Sequence, residues 1–160
     1  MINVLKGISI FEECSRQELE PIAGLCRKAT FKLGQRIFEA GNPFEYLCLL
    51  SEGEIELRFE VNCLNTSREI TLDRKFKGET FGWSALTPPQ IPSLSAVAVQ
   101  DSEVLKVSAN DIKRLCQENS HLGYVLMKNV STIISQRFTT LQRTLIDVIQ
   151  QHLKEKELRM

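Results

Sequence analysis

The chain has 160 residues, enough for one domain with one good core and too few for two full ones. Its twenty basic residues cancel its twenty acidic ones, so no bulk field draws it onto nucleic acid or anionic lipid. With 42% hydrophobic and 25% charged residues the composition is that of a compact globular protein, and no apolar run is long enough to span a bilayer.

From the N-terminus, Ser15 and Glu18 stand at capping-box spacing ahead of Leu19, Ile22, Ala23 and Cys26, which predicts a short helix. Pro21 falls inside it and pushes its expected start later. After Gly34 the pattern turns to short apolar runs cut by Gly41-Asn42-Pro43, by Glu52-Gly53 and by the polar stretch 62–66, the punctuation of β-structure. The clearest strand is 54–61, where Ile55, Leu57, Phe59 and Val61 alternate with Glu54, Glu56, Arg58 and Glu60, one face buried and the other wet. Segments 95–99 and 103–107, separated by Asp101-Ser102, read as a hairpin.

Ser108 with Asp111 is a second capping signature, and Ile112, Leu115 and Cys116 predict a short helix ending near Asn119. From about His121 onward there is no proline and no glycine after Gly123, so one long helix is expected. Met127, Ile134, Phe138, Leu141, Leu145 and Val148 fall on a heptad seam, with Ile149 and Leu153 widening it. A helix this long overhangs a small domain, so Ile134, Phe138, Leu141, Leu145 and Val148 are the expected interface of a homodimer. Packing of the whole helix on its own domain, or on another protein, stays open.

The chain resembles the cyclic-nucleotide-binding family. Segment 5–23 (LKGISIFEECSRQELEPIA) is similar to the family's entry helix, and 31–57 (FKLGQRIFEAGNPFEYLCLLSEGEIEL) to its first strands, with Gly34, Gly41 and Gly53 at the turns. Segments 70–86 (ITLDRKFKGETFGWSAL) and 92–99 (PSLSAVAV) resemble the approach to and the exit from its phosphate-binding cassette. The resemblance implies a mainly β fold with flanking helices: a jelly-roll-like β-roll with its N-terminal helix over residues 1–120, then a long dimerisation helix over 121–160. It also places a ligand site at Gly82, Trp83, Ser84, Ala85, Leu86, Ser93, Leu94 and Ser95.

In ligand-binding members of the family the cassette glycine is followed by a glutamate for the ribose 2′-hydroxyl and later by an arginine for the cyclic phosphate. Here Trp83 and Ser93 occupy those two positions, so cAMP and cGMP are not expected to bind in the usual way. The start of a short helical turn at 82–86 could still offer backbone N–H groups to an anion, and Trp83 an apolar plate. A small-molecule ligand of unknown identity and a pocket filled by its own side chains both remain open, and TPPQIP at 87–92 reads as a stiff lid or plug.

Other chemistry is not evident. Cys14, Cys26, Cys48, Cys63 and Cys116 include no CxxC pair, and His121 and His152 lie far apart, so neither a metal nor another cofactor is expected. No nucleophile motif or Gly-rich phosphate loop appears, which predicts a non-enzymatic regulatory binding module. The alternative is a protein-interaction or scaffold domain with a vestigial pocket. The family's transcription factors carry a helix-turn-helix after the long helix, whereas this sequence stops at Met160, so direct nucleic-acid binding is not expected. The start lacks the basic-then-apolar layout of a signal peptide, and a cytoplasmic location is the expectation.

Overall fold

The structure, a computed structural model, describes residues 1–63 and 66–157. Residues 64 and 65, inside the turn expected at 62–66, and the tail residues 158–160 lie outside the described residues, as does the side chain of Cys63. Two helices, α1 (Ile2–Lys6) and α2 (Arg16–Leu25), precede eight strands: β1 (Arg27–Phe31), β2 (Arg36–Phe38), β3 (Tyr46–Glu52), β4 (Ile55–Cys63), β5 (Thr66–Lys75), β6 (Thr80–Phe81), β7 (Ser95–Ala98) and β8 (Ser102–Ser108). Helices α3 (Ala109–Glu118) and α4 (Ser120–Glu157) complete the chain. The strands form two antiparallel sheets, in the orders β1-β8-β3-β6 and β2-β7-β4-β5.

The inner strands of the first sheet, β3 and β8, are buried on both faces, and their side-chain alternation shows how. Leu47 and Leu49 of β3, with Leu105 and Val107 of β8, point into a core shared with α1, α2, α3 and the first turns of α4. Their neighbours Cys48, Leu50 and Val104 point the other way, into a core shared with Ile55, Leu57, Ala96 and Ala98 of the second sheet. A period of two thus serves two cores from one strand, which is why 47–50 reads as a continuous apolar run.

The capping box forms as predicted. The Ser15 hydroxyl accepts from the Glu18 N–H, and the Glu18 carboxylate accepts from the Ser15 N–H at 2.8 Å. The helix starts at Arg16 and runs through Pro21. The carbonyl that Pro21 leaves without an intrahelical donor belongs to Gln17, an exposed residue, where water can satisfy it. At the second capping site Ser108 is the N-cap, but its side chain makes no capping bond.

Two expectations are corrected. Segments 95–99 and 103–107 do not pair: β7 lies between β2 and β4 in one sheet and β8 between β1 and β3 in the other, so the short turn carries the chain across the sandwich. Gly53 makes room for that crossing, since a Cβ there would sit 2.6 Å from the Cα of Ser102. The alternation expected over 54–61 is broken at two positions. Phe59 is exposed and Glu56 is buried, because the β4–β5 ribbon runs out beyond the opposite sheet and because Glu56 accepts from the Thr71 hydroxyl at 2.8 Å and pairs with Arg58 and Arg74.

Glu18 does more than cap α2. Its carboxylate lies 2.7 Å from Nδ1 of His121 at the start of α4, and this hydrogen bond, reinforced by the Ser15 N–H and hydroxyl, lowers the carboxyl from an ordinary 4.5 to about 2. A carboxyl depressed by folding contributes stability that is complete above its unfolded value and is lost as pH falls through its folded value. Thermal melts should therefore show Glu18→Gln about 1–2 kcal/mol less stable than wild type at about pH 6, with the gap closing towards about pH 2. A gap that stays constant with pH would contradict this account of the α2–α4 contact.

Candidate ligand site

Strand β6 ends at Phe81, and the φ of 74° and ψ of 19° at the next residue, Gly82, lie in the left-handed region. A Cβ at this position would stand 2.9 Å from the Tyr46 carbonyl oxygen and 3.3 Å from the Phe44 ring. Only glycine combines that turn with that approach. One 3-10 turn, Trp83–Leu86, follows, in which the Ala85 N–H donates to the Gly82 carbonyl at 3.0 Å.

The turn puts Trp83 on the wall of a cleft of about 260 Å³ between the β-roll and α4. Phe38, Leu57, Gly82, Trp83, Ser84, Pro92, Ser93 and Leu94 line it from the roll, and Ile134, Arg137, Phe138 and Leu141 from the helix. Phe38 is held from behind by Phe44 and Phe81, with ring centres 4.4 and 6.0 Å away. The lining is mostly apolar with a few polar groups, the character of a small-molecule site.

Among the described residues Arg137 is the only charged one in that lining. Its guanidinium carbon lies 5.3 Å from the centre of the Trp83 ring, within cation–π range, and its Nη2 lies 3.0 Å from Oδ2 of Asp73. The same oxygen is 3.0 Å from Nζ of Lys75, which also stands 3.4 Å from Glu79. These groups border a second cavity of about 410 Å³, and Arg137, Leu94 and Leu141 form the partition between the two spaces.

A β-bulge explains how Asp73 comes to face the helix. Leu57 pairs with Asp73 and Arg58 with Thr71, leaving Leu72 as the extra residue. The bulge keeps Thr71 and Arg74 on the outer face with Glu56, while Asp73 and Lys75 share the inner face with Leu57 and Ile55.

Of the residues expected at the site, Gly82, Trp83, Ser84, Ser93 and Leu94 line the cleft, whereas Ala85, Leu86 and Ser95 do not. Ala85 is fully buried beneath the turn, Leu86 packs on the helix-side core, and the buried Ser95 hydroxyl accepts from the Ala40 N–H at 3.0 Å. The 87–92 loop is a wall: Pro92 lines the cleft, and Gln90 donates from its side-chain amide to the Ala85 carbonyl at 2.8 Å. Trp83 is only partly buried. On the seam, Ile134, Phe138 and Leu141 reach the cleft while staying 41%, 61% and 51% exposed, and Leu145 and Val148 stand clear of the roll.

Arg137, Asp73, Phe38 and Leu57 were not among the expected site residues. A signal for Arg137 was present: it lies three residues after Ile134 and four before Leu141, so it interrupts an apolar face with a cation. Cys14, Cys26 and Cys48 offer no reactive thiolate, since burial pushes the first two up to about 11 and Cys48 up to about 12. Among the described residues no group of three or more His, Cys, Asp or Glu is placed to hold a metal, and no helix is long and apolar enough to cross a membrane.

Residues 28–119, which contain the β-roll strands and the cassette turn, match the cyclic nucleotide-binding domain model. The chain belongs to that family. Among solved structures it is similar to a Geobacter metallireducens protein provisionally assigned as cyclic nucleotide-binding, with 27% identity and a TM-score of 0.70 over 84% of this chain and 95% of that one. The catabolite activator protein of Thermus thermophilus shares 23% identity at a TM-score of 0.71, over 86% of this chain and 61% of its own. The regulatory domain of Toxoplasma gondii PKA, solved with cAMP, shares 21% at 0.67, over 82% of this chain and 48% of its own. No curated protein matches the chain. The family membership makes the fold that of a regulatory or sensor module.

The site depends on the turn at Gly82. Gly82→Ala sets a Cβ against the Tyr46 carbonyl in a backbone region unfavourable to side chains, and should cost about 1–3 kcal/mol in chemical denaturation. A change below about 0.5 kcal/mol would show that the turn relaxes freely.

Proposed function

We propose that the chain is a non-enzymatic sensor module whose cleft takes a small ligand by contacts other than the family's usual ones for cAMP and cGMP, and whose α4 transmits occupancy through a homodimer. The observation that carries the reading is the open apolar cleft bounded by both the cassette turn and α4, because a ligand there touches the sensing and the output elements at once. Trp83 and Ser93 stand where the family's ribose and phosphate anchors would be, and neither can supply the anion or the cation those roles need. Hydrogen bonds to charged groups are worth about 1.5–3 kcal/mol each, so replacing both weakens cyclic-nucleotide binding by several powers of ten.

Calorimetry with cAMP and cGMP tests the first part, with dissociation constants well above the low micromolar range expected for both. Trp83 is the sole tryptophan, so its emission reports the cleft alone. A nucleotide, aromatic-acid and phosphorylated-metabolite panel should contain a compound that shifts that emission and raises the melting temperature together. Emission that no compound and no quencher alters would favour the interaction-domain reading.

The second part rests on α4, where every described residue from 138 to 156 is exposed while Leu141, Leu145 and Val148 keep heptad spacing. A parallel pair would bring like positions together, and Leu145→Asp would place two carboxylates in one apolar layer. Light scattering should find a dimer for wild type and a monomer for Leu145→Asp. A wild type that remains monomeric at high concentration refutes the homodimer.

A further inference from the structure

The geometry points to Arg137 as the anion anchor of the cleft, a cation supplied by α4 that passes from Asp73 to a ligand carrying a carboxylate or phosphate on a flat apolar body. This rests on the sensor reading above and names the ligand class it leaves open. Among the described residues Arg137 is the only charge lining the cleft, and none of the acidic side chains lines that space to repel an anion. Its side chain is 20% exposed, so a ligand can reach it from the cleft while Asp73 holds it from the neighbouring cavity.

The existing hold on Arg137 is weak by construction. A guanidinium has five N–H donors in a planar fork that suits two-point contact with a carboxylate or phosphate, yet among the described residues its one ion pair is the contact of Nη2 with Asp73. Asp73 shares that oxygen with Lys75 at the same 3.0 Å, so it keeps a cationic partner when Arg137 leaves. Exchange therefore strands no buried carboxylate, the outcome that makes most buried ion pairs costly to open.

The flat apolar body follows from the rest of the lining. Trp83 already carries the guanidinium over its ring, and Phe38, Leu57 and Phe138 supply further apolar surface. Ser84 and Ser93 add hydroxyls that can donate to the same anion. Because Arg137 sits between Ile134 and Phe138 on α4, capture of an anion pulls directly on the helix that the module uses for output.

The test uses the full chain and two pairs of probes matched in shape but differing in charge, phenylacetate against phenylacetamide and AMP against adenosine, with calorimetry as the readout. In at least one pair the anion should bind about tenfold or more tightly than its neutral counterpart. Arg137→Gln should erase that preference and Arg137→Lys should retain part of it. Asp73→Asn should raise anion affinity by about threefold, a gain that general destabilisation cannot imitate. Equal binding of charged and neutral members, or a preference that survives Arg137→Gln, overturns the role of Arg137 while leaving the sensor reading in place. Failure of all four probes to bind the wild type overturns the ligand class and counts against the sensor reading itself.

Discussion

The position of α4 over the cleft depends on one side chain, Asn129. Its amide donates both N–H groups to backbone carbonyls of the entry segment, to Ile10 at 3.0 Å and to Glu12 at 2.9 Å, from a site only 9% exposed. Immediately afterwards Glu13 turns into the left-handed region, φ 73°, and its carboxylate meets Lys128 at 2.6 Å. With Leu122, Val125 and Leu126 buried one turn earlier, this clamp fixes the direction in which the helix leaves the roll. Beyond it the one ion pair from α4 to the roll among the described residues is that of Arg137 with Asp73, so Ile134, Arg137, Phe138 and Leu141 are held over the cassette turn by a helix clamped at Asn129.

The charged groups on the inner face of the β4–β5 ribbon follow from that arrangement. Cross-strand partners in an antiparallel pair share a face, so Lys75 and Asp73 lie on the side of Ile55 and Leu57, where a simple sandwich would carry apolar residues. They belong there because the opposite layer at that height is a helix bearing Arg137. A buried lysine between two carboxylates, with an arginine on one of them, compensates its own charges, and the bulge at Leu72 brings those charges into register with the helix.

Much of this was legible in the amino-acid sequence where chemistry is local. The capping box at Ser15 and Glu18, the turns at Gly41 and Gly53, and the long proline-free helix each announce themselves within a few residues, and the structure has all of them. Assignments that depend on which element lies opposite were not legible. Nothing in the two segments around Asp101 says that one strand joins the first sheet and the other the second, and a hairpin is the natural reading of so short a turn. Phe59 looks like a core residue until the ribbon is seen to outrun its partner sheet. At the site, the cassette residues Gly82, Trp83, Ser84, Ser93 and Leu94 were recognisable from their run along the chain, but Arg137 and Asp73 come from elements 64 residues apart in sequence and meet only through the bulge and the clamp.

The clamp at Asn129 and the free run of α4 beyond the roll also have a mechanical side. From the Asn129 clamp to residue 157 the helix runs about 42 Å at about 1.5 Å per residue, with Arg137 about 12 Å along it. A tilt of about 5° about the clamp moves Arg137 by about 1 Å and swings the tip by about 4 Å, more than half the pitch of a helical turn. That displacement suffices to carry a side chain on the tip from a groove of whatever faces it onto a ridge. Under the proposed sensor reading, a shift of a fraction of an ångström beside Trp83 would be delivered several-fold larger at the far end.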